Sequence, residues 1–143
     1  MAAGKKIRAV VRDRSKAAAW ARQGADVVVA DMLDATALAH AFAGTQGVFV
    51  MIPANFAPAP GFPETRALVA ALRTALDRSR PPKAVYLSSV GAHRESGLGL
   101  ISQIHILERE LGSLPIPNAI WRQAKRLQDE DFAAFVESCL KSR

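Results

Sequence analysis

The sequence predicts an α/β domain in which an open parallel sheet lies between helices on both faces, giving three layers. Short apolar runs rich in β-branched residues alternate along the chain with alanine-rich or amphipathic stretches of helical length. The third apolar run, Gly47 to Ile52, holds almost no polar residue, which is typical of a strand covered on both faces. Such alternation with short turns favours right-handed βαβ units and parallel strands.

The first two strands and their helices occupy about the first third of the chain. Ile7 to Val11 forms the first strand, and the charged stretch after it begins a helix that Gly24 ends. The second strand, Asp26 to Ala30, leads to Asp34, whose carboxylate can cap the N-terminus of the next helix. Gly44 closes that helix.

The same pattern continues after the third strand. A proline-rich loop covers residues 53–63, and apolar residues at helical spacing then predict a helix from Glu64 to Ser79. Ala84 to Ser88 is predicted as the fourth strand, and a further helix is predicted from about Leu98 to Leu111.

The character of the sequence changes after the fourth helix. In place of another β-branched strand, apolar residues recur at helical spacing over residues 118–143 and indicate one or two amphipathic helices. We therefore divide the chain into a domain over residues 1–117 and a helical tail over residues 118–143. Because isolated amphipathic helices are marginal in water, we expect the tail to bury its apolar face against the sheet or a second chain. That face comprises Phe132, Phe135 and Val136.

Composition excludes several classes of protein. With 143 residues and 50% hydrophobic content, the chain can bury one core. Its single cysteine, Cys139, precludes an internal disulfide, and there is no spaced set of Cys and His metal ligands. No signal-peptide core follows the start and no apolar run is long enough for a bilayer, so we expect a cytoplasmic protein without a membrane partner.

The basic character of the chain raises the question of nucleic-acid binding. The formal net charge is +6, and clustered Lys and Arg side chains gain affinity by releasing phosphate counterions. Here the basic residues are spread out, and only Arg122, Lys125 and Arg126 form a local group, without interleaved aromatic residues. We favour a solvated helix face over a nucleic-acid site.

Polar residues follow the predicted strands at the edge where ligands of open α/β sheets bind. Arg12 ends the first strand, where an acidic residue holds the ribose hydroxyls of NAD and an arginine favours the extra 2′-phosphate of NADP. Arg12 thus indicates NADP, with a solvated residue at a helix start as an equal alternative. At the second strand end, Asp31 and Asp34 could accept a hydrogen bond from the adenine amino group, although Asp34 is better interpreted as a helix cap.

The other two strand ends offer different chemistry. Met51, Ile52 and Pro53 form an apolar ledge after the third strand. Ser88 and Ser89 provide two hydroxyls at the end of the fourth, although serines there also occur as plain turn formers.

Taken in order and spacing, these segments resemble the NmrA-like branch of the atypical short-chain dehydrogenases, over about residues 3–117. The resemblance implies a partial Rossmann-like sheet that binds NAD(P). It is carried by Val10-Val11-Arg12-Asp13, Ala30-Asp31-Met32-Leu33-Asp34, the segment Gly47 to Pro53, the segment Tyr86 to Ala92, Gly97-Leu98-Gly99-Leu100-Ile101 and His105-Ile106-Leu107-Glu108.

The resemblance also implies which residues meet each part of the dinucleotide. The preferred cofactor would be NADP, bound across the carboxyl ends of the strands. The implied contacts are Arg12 with the 2′-phosphate, Asp31 and Met32 with the adenine, Ile52 and Pro53 with the nicotinamide-side ribose, and Ser88, Ser89 and Val90 with the nicotinamide neighbourhood.

Two features of the family are missing from the sequence. Family members open with a strand and a glycine-rich turn that binds the pyrophosphate, whereas Ala2-Ala3-Gly4 resembles the end of the helix after that turn, so we expect a truncated domain. Ile101 and His105 occupy the positions of the family's Tyr-x-x-x-Lys pair. We interpret His105 as a helix-surface or core residue rather than a ligand contact. The catalytic residues stay unassigned.

Loss of the first strand also affects the sheet. That strand lies at the centre of the order 3-2-1-4-5, so its absence leaves two inner edges that must close together, be covered by the tail or pair with another chain.

Two functions follow from the resemblance. The first is the NAD(P)H-binding domain of an oxidoreductase whose complete form uses NADPH to reduce a small electrophile such as a quinone, this chain alone being inactive. The second is a non-catalytic nucleotide sensor or interaction module, with homo-oligomers formed through the exposed sheet edge or the C-terminal helix.

Overall fold

A computed structural model describes residues 5–94 and 98–123 of the chain. Within these ranges strands and helices alternate without exception, as the sequence predicts. The elements are β1 (Arg8–Val11), α1 (Arg14–Arg22), β2 (Asp26–Val29), α2 (Ala35–Phe42), β3 (Val48–Val50), α3 (Pro63–Ser79), β4 (Ala84–Ser89), a 3₁₀ turn (Gly99–Ile101), α4 (Ser102–Gly112) and β5 (Asn118–Gln123).

The strands form two parallel sheets. In the first, β1 pairs with β2, with Arg8 opposite Asp26. In the second, the order is β3, β4, β5, with Val48 opposite Ala84 and β5 on the other side of β4. Both pairings that the sequence predicts are confirmed, and so is the α/β class with its partial parallel sheet.

No hydrogen bonds join β1 to β3 in the part of the chain that the structure describes. Ile7 and Val11 accept hydrogen bonds from β2, at 2.9 Å from the nitrogen of Asp26 and 3.0 Å from that of Ala30. Because successive residues of a parallel strand bond to opposite neighbours, the backbone groups of Val10 point to the other edge of β1. β1 and β3, the two inner edges expected of a sheet without its central strand, therefore do not pair with each other.

Asn118–Gln123 is a strand, so the helix expected from its apolar spacing is wrong over these six residues. A period of two also fits the segment, because Ile120 packs against the core and Arg122, two residues later, bonds to α4. Pairing with β4 gives the backbone its hydrogen bonds, which outweighs a weak local preference. The domain boundary at residue 117 stays a prediction, since the rest of the expected tail, with Phe132, Phe135 and Val136, lies outside the described residues.

The core lies between the second sheet and the three helices α2, α3 and α4. Its most deeply buried side chains are Tyr86, Leu38, Leu72, Leu76, Leu107, Leu111 and Val69. Each of these leucine and valine side chains contributes about 1.5–3 kcal/mol by leaving water. In contrast, α1 has no buried residue and its Trp20 is exposed. The β3–β5 half of the domain is therefore the better packed half.

Candidate functional site

The carboxyl ends of β1 and β2 bring the expected adenosine-side residues to one edge. Val11 and Val29 are partners at the end of the two strands, so Arg12 and Asp31 follow at neighbouring positions. Arg12 is exposed, and its guanidinium has no hydrogen bond or ion pair among the described residues. An unpaired arginine at this edge is free to bind an anion.

Asp13, next to Arg12, caps the N-terminus of α1. Its carboxylate caps α1 by accepting a hydrogen bond from the backbone nitrogen of Ser15 at 2.8 Å. The hydrogen bonds from Ser15, followed by the charges of Lys16 and Arg12, lower the pKa of Asp13 below its usual value. Asp13 therefore holds the start of α1, one residue beyond Arg12.

The two aspartates after β2 differ in the hydrogen bonds that their carboxylates accept. Asp34 caps α2, accepting hydrogen bonds from the nitrogens of Thr36 at 3.0 Å and Ala37 at 2.9 Å, which confirms the cap interpretation. Asp31 is exposed and uses one carboxylate oxygen to accept a hydrogen bond from Leu33 at 2.8 Å. Its other oxygen has no protein donor in the described ranges, and Met32 is partly buried against the core.

The ends of β3 and β4 form the second part of the edge. Ile52 is buried within the core, so its side chain is largely closed to a ligand, while Pro53 is exposed. Val90 is exposed at the turn after β4, where Gly91 has a φ of +92° that favours glycine. Pro53 and Val90 are thus the surface residues among the expected nicotinamide-side contacts, with Ser89 partly buried between them and the sheet.

Ser88 belongs to a buried polar network that the sequence analysis missed. Its hydroxyl donates to Oε1 of Glu108 on α4. Arg122 on β5 binds the same carboxylate with two hydrogen bonds, from Nε to Oε1 at 2.9 Å and from Nη2 to Oε2 at 2.7 Å. Glu108 is only 8% exposed, whereas the Arg122 side chain is 41% exposed. The network ties α4 to the carboxyl ends of β4 and β5.

Opposing effects act on the ionisation of Glu108. Burial raises the pKa of the carboxyl group, but the hydrogen bonds from Arg122 and Ser88 and the charge of Arg122 bring that pKa below its usual value. Glu108 is thus an ionised carboxylate that fixes two side chains. A glutamate flanked by Ile106, Leu107 and Leu111 on a helix was the sequence signal for such a partner.

His105 lies one turn before Glu108 and is partly buried. Its Nδ1 lies 2.8 Å from the carbonyl oxygen of Ala92, to which it donates. The imidazole thus joins α4 to the turn after β4, which fits the interpretation of His105 as a residue of the helix rather than a ligand contact.

The arrangement fits one half of a dinucleotide. Arg12, which has no partner among the described residues, can bind an anion, and Asp31, at the same edge, can accept a hydrogen bond. Within residues 5–94 and 98–123, no glycine-rich turn begins a helix, and Gly24, Gly44 and Gly61 stand in separate turns. The described part of the chain also holds no group of three or more His, Cys, Asp or Glu side chains suited to a metal ion. None of its helices combines the length and apolar character needed to cross a lipid bilayer.

The sequence matches the model of a family described as NAD(P)H-binding, over residues 1–135. The chain belongs to this NAD(P)H-binding family. The match includes β5, which the structure places in the same sheet as β3 and β4.

Solved structures share the fold of this NAD(P)H-binding chain. One is the triphenylmethane reductase of Citrobacter sp. in complex with NADP(H), with 25% identity, a TM-score of 0.69 and coverage of 92% of this chain and 46% of the reductase. Another is the NADPH-dependent quinone oxidoreductase of Escherichia coli in complex with NADPH, with 24% identity, a TM-score of 0.68 and coverage of 92% and 44%.

A third structural neighbour, an anaerobillin reductase from Escherichia coli O157:H7, has a TM-score of 0.73 at 13% identity and coverage of 96% and 79%. The chain spans less than half the length of the first two neighbours. A comparison with curated proteins finds no match.

Proposed function

We propose that this chain is the nucleotide-binding part of an NADPH-dependent oxidoreductase that reduces a small electrophile such as a quinone. The observation that carries the proposal is Arg12, an exposed arginine at the carboxyl end of β1 that has no partner among the described residues. A guanidinium in that position can bind a 2′-phosphate through charge-assisted hydrogen bonds, and NAD lacks that phosphate. The two neighbours that carry NADP(H) or NADPH are reductases, which supports the proposal.

The remaining contacts extend along the same edge. Asp31 would accept a hydrogen bond from the adenine amino group through its second carboxylate oxygen, and Met32 would line the adenine. Ile52 and Pro53 would lie beside the nicotinamide-side ribose. When bound, NADPH supplies a hydride from its nicotinamide ring to the electrophile. The residues proposed beside that ring are Ser88, Ser89 and Val90.

Of these three residues, Ser88 is proposed to support the nicotinamide site structurally, because its hydroxyl is not free to bind the ring. The hydroxyl is already a donor to Glu108, and Ser88 is buried. The network with Glu108 and Arg122 would instead hold the end of β4 in place, so that Ser89 and Val90 keep their position at the surface.

A titration of NADPH and NADH by calorimetry tests the proposal. We expect the native chain to prefer NADPH by about tenfold, which corresponds to about 1.4 kcal/mol for a charge-assisted contact. Arg12→Ala should abolish the preference. Arg14→Ala is the matched control, because Arg14 is an exposed arginine in the first turn of α1, and it should keep the preference. Equal affinity for the two nucleotides in the native chain, or binding of neither, would contradict the proposal.

A non-catalytic nucleotide sensor is the second candidate. The residues at the positions of the family's Tyr-x-x-x-Lys pair favour it. These residues are Ile101, which has no ionisable group, and His105, whose Nδ1 already donates a hydrogen bond to the carbonyl oxygen of Ala92. Reduction of a quinone with NADPH as the donor separates the two candidates when it is measured with this chain completed by the family's glycine-rich turn, and not with this chain alone, since a sensor binds the nucleotide without oxidising it.

A further inference from the structure

The loop between β3 and α3 is fastened to α4 by one buried side chain. Gln103, in the first turn of α4, is 3% exposed. Its Oε1 accepts hydrogen bonds from the backbone nitrogen of Asn55 at 3.2 Å and from the hydroxyl of Thr65 at 3.1 Å. Its Nε2 donates to the carbonyl oxygen of Asn55 at 2.8 Å. Both backbone groups of Asn55 are therefore held by a single amide.

The next residues form a tight turn that presents an aromatic ring. The side-chain oxygen of Asn55 accepts a hydrogen bond from the nitrogen of Ala57 at 3.0 Å, so the chain turns around Phe56. Phe56 is 80% exposed, the highest value among the exposed large apolar side chains of the described residues. Pro53, Pro58 and Pro60 restrict the backbone on either side. Phe56 is thus a large apolar side chain in water on a backbone fixed by hydrogen bonds.

The loop that carries Phe56 starts at the edge of the sheet where the nicotinamide is proposed to bind. The loop begins at the carboxyl end of β3, and α4 begins after the carboxyl end of β4, so Gln103 fastens the loop at the edge proposed to bind the nicotinamide. The Nε2 of Gln103 also lies 3.5 Å from the carbonyl oxygen of Leu100, itself an exposed apolar residue. Met51 and Val90, at the ends of β3 and β4, are exposed as well. Exposed apolar side chains therefore follow both β3 and β4, at the ends of the strands where the reducible substrate would meet the nicotinamide.

We propose that Phe56 contacts the substrate, as an aromatic face on which a planar, electron-poor ring stacks, and that Gln103 positions it. The inference rests on the proposed function, because it names the substrate class of the same site. Aromatic rings stack in offset or edge-to-face arrangements, and an electron-poor quinone ring complements the negative face of a phenyl group. Binding to a ring on a backbone that is already held in place avoids the entropy cost of ordering a loop.

The test uses 1,4-naphthoquinone as the probe, titrated into the full chain without nucleotide and followed by amide chemical shifts in NMR. We expect shift changes at Asn55, Phe56 and Ala57. Phe56→Ala should weaken probe binding at least fivefold, whereas Phe56→Tyr, which keeps the ring, should stay within twofold of the native chain. Ile7→Ala is the matched control, because Ile7 is an exposed apolar residue at the opposite, amino end of β1; it should leave probe binding unchanged.

The role of Gln103 is tested by a double-mutant cycle. Gln103→Ala should weaken probe binding as Phe56→Ala does, and the variant with both changes should bind no more weakly than either alone, because Gln103 acts through Phe56. Additive losses would overturn the positioning role. NADPH affinity should be the same in all these variants and in the native chain, which also shows that they are folded.

Several results would overturn the proposal, and they differ from those that contradict the proposed function. Equal probe affinity in the native chain and Phe56→Ala, or no shift at residues 55–57, removes Phe56 as a substrate contact even if NADPH binds. Shifts at Phe56 that depend on protein concentration without the probe would identify an interface between chains instead. Probe binding through Phe56 without NADPH preference would support the aromatic contact and contradict the proposed cofactor.

Discussion

Replacing Glu108 by glutamine tests whether the network with Ser88 and Arg122 stabilises the domain. Glutamine keeps the shape of the side chain but removes its charge and one acceptor for Arg122. Breaking a buried ion pair costs about 3–5 kcal/mol, and this pair is half solvated because Arg122 is 41% exposed, so water can replace part of what the guanidinium loses. We therefore expect Glu108→Gln to lower the free energy of unfolding by about 1–2 kcal/mol.

Urea unfolding followed by circular dichroism measures this change, and the neighbouring turn of α4 supplies the control. Glu110 is 39% exposed and pairs with Arg109 at 3.2 Å, so Glu110→Gln removes only a surface ion pair. Such pairs contribute less than about 1 kcal/mol. An equal decrease in the free energy of unfolding in the two variants would refute the reasoning, because the burial of Glu108 and its two hydrogen bonds with Arg122 would then add no stability over a surface ion pair.

The pH dependence of the same difference has a defined sign. The pKa of Glu108 is lowered in the folded protein, so the stabilisation is fully present above the pKa of the unfolded chain and is lost as the pH falls through the folded value. Glutamine does not titrate. The difference in unfolding free energy between native chain and Glu108→Gln should therefore be constant near neutral pH and shrink below about pH 4. A difference that grew on acidification would contradict the assigned shift.

Three further predictions concern other parts of the chain. Asp34→Ala should lower the free energy of unfolding by about 1 kcal/mol through loss of the cap on α2, as thermal unfolding can show. As the control, Asp77→Ala, which changes an exposed residue near the C-terminus of α3, should lower it less. This chain alone should oxidise no NADPH with 1,4-naphthoquinone. A faster decrease in absorbance at 340 nm with the protein than without it would refute that. Amides around Phe132, Phe135 and Val136 should be protected from hydrogen exchange, because the tail is expected to bury its apolar face, and exchange at the free-chain rate would contradict this.

The alternation of elements was predictable from the sequence because it depends on local signals. Apolar runs, glycine stops and the capping carboxylate of Asp34 mark strands and helices within a few residues, and the handedness of βαβ units then pairs neighbouring strands. The strand pairings of β1 with β2 and of β3 with β4 followed from these rules and are confirmed.

β5 and its polar network could not be predicted in the same way. The apolar residues of Asn118–Gln123 fit either period over so short a segment, and pairing with β4 across more than thirty positions of sequence decides between them. Arg122 was interpreted as one of a solvated basic group, although its partner, Glu108, lies on a different element. Likewise, the backbone of Asn55, next to Phe56, is bonded to Gln103, which is far from it in sequence. Contacts between distant segments have no signature in local periodicity.

The separation of β1 and β2 from β3, β4 and β5 divides the candidate site between two sheets, although their side chains share one core. The residues proposed for the adenosine lie on one hydrogen-bonded body, and those proposed for the nicotinamide lie on another. Arg8 is one connection between them, since its guanidinium donates to the carbonyl oxygens of Ala41 at 3.0 Å and Ala43 at 3.3 Å, at the end of α2. A dinucleotide that reached from Arg12 to Val90 would therefore bridge two sheets that no strand pairing joins in the described part of the chain.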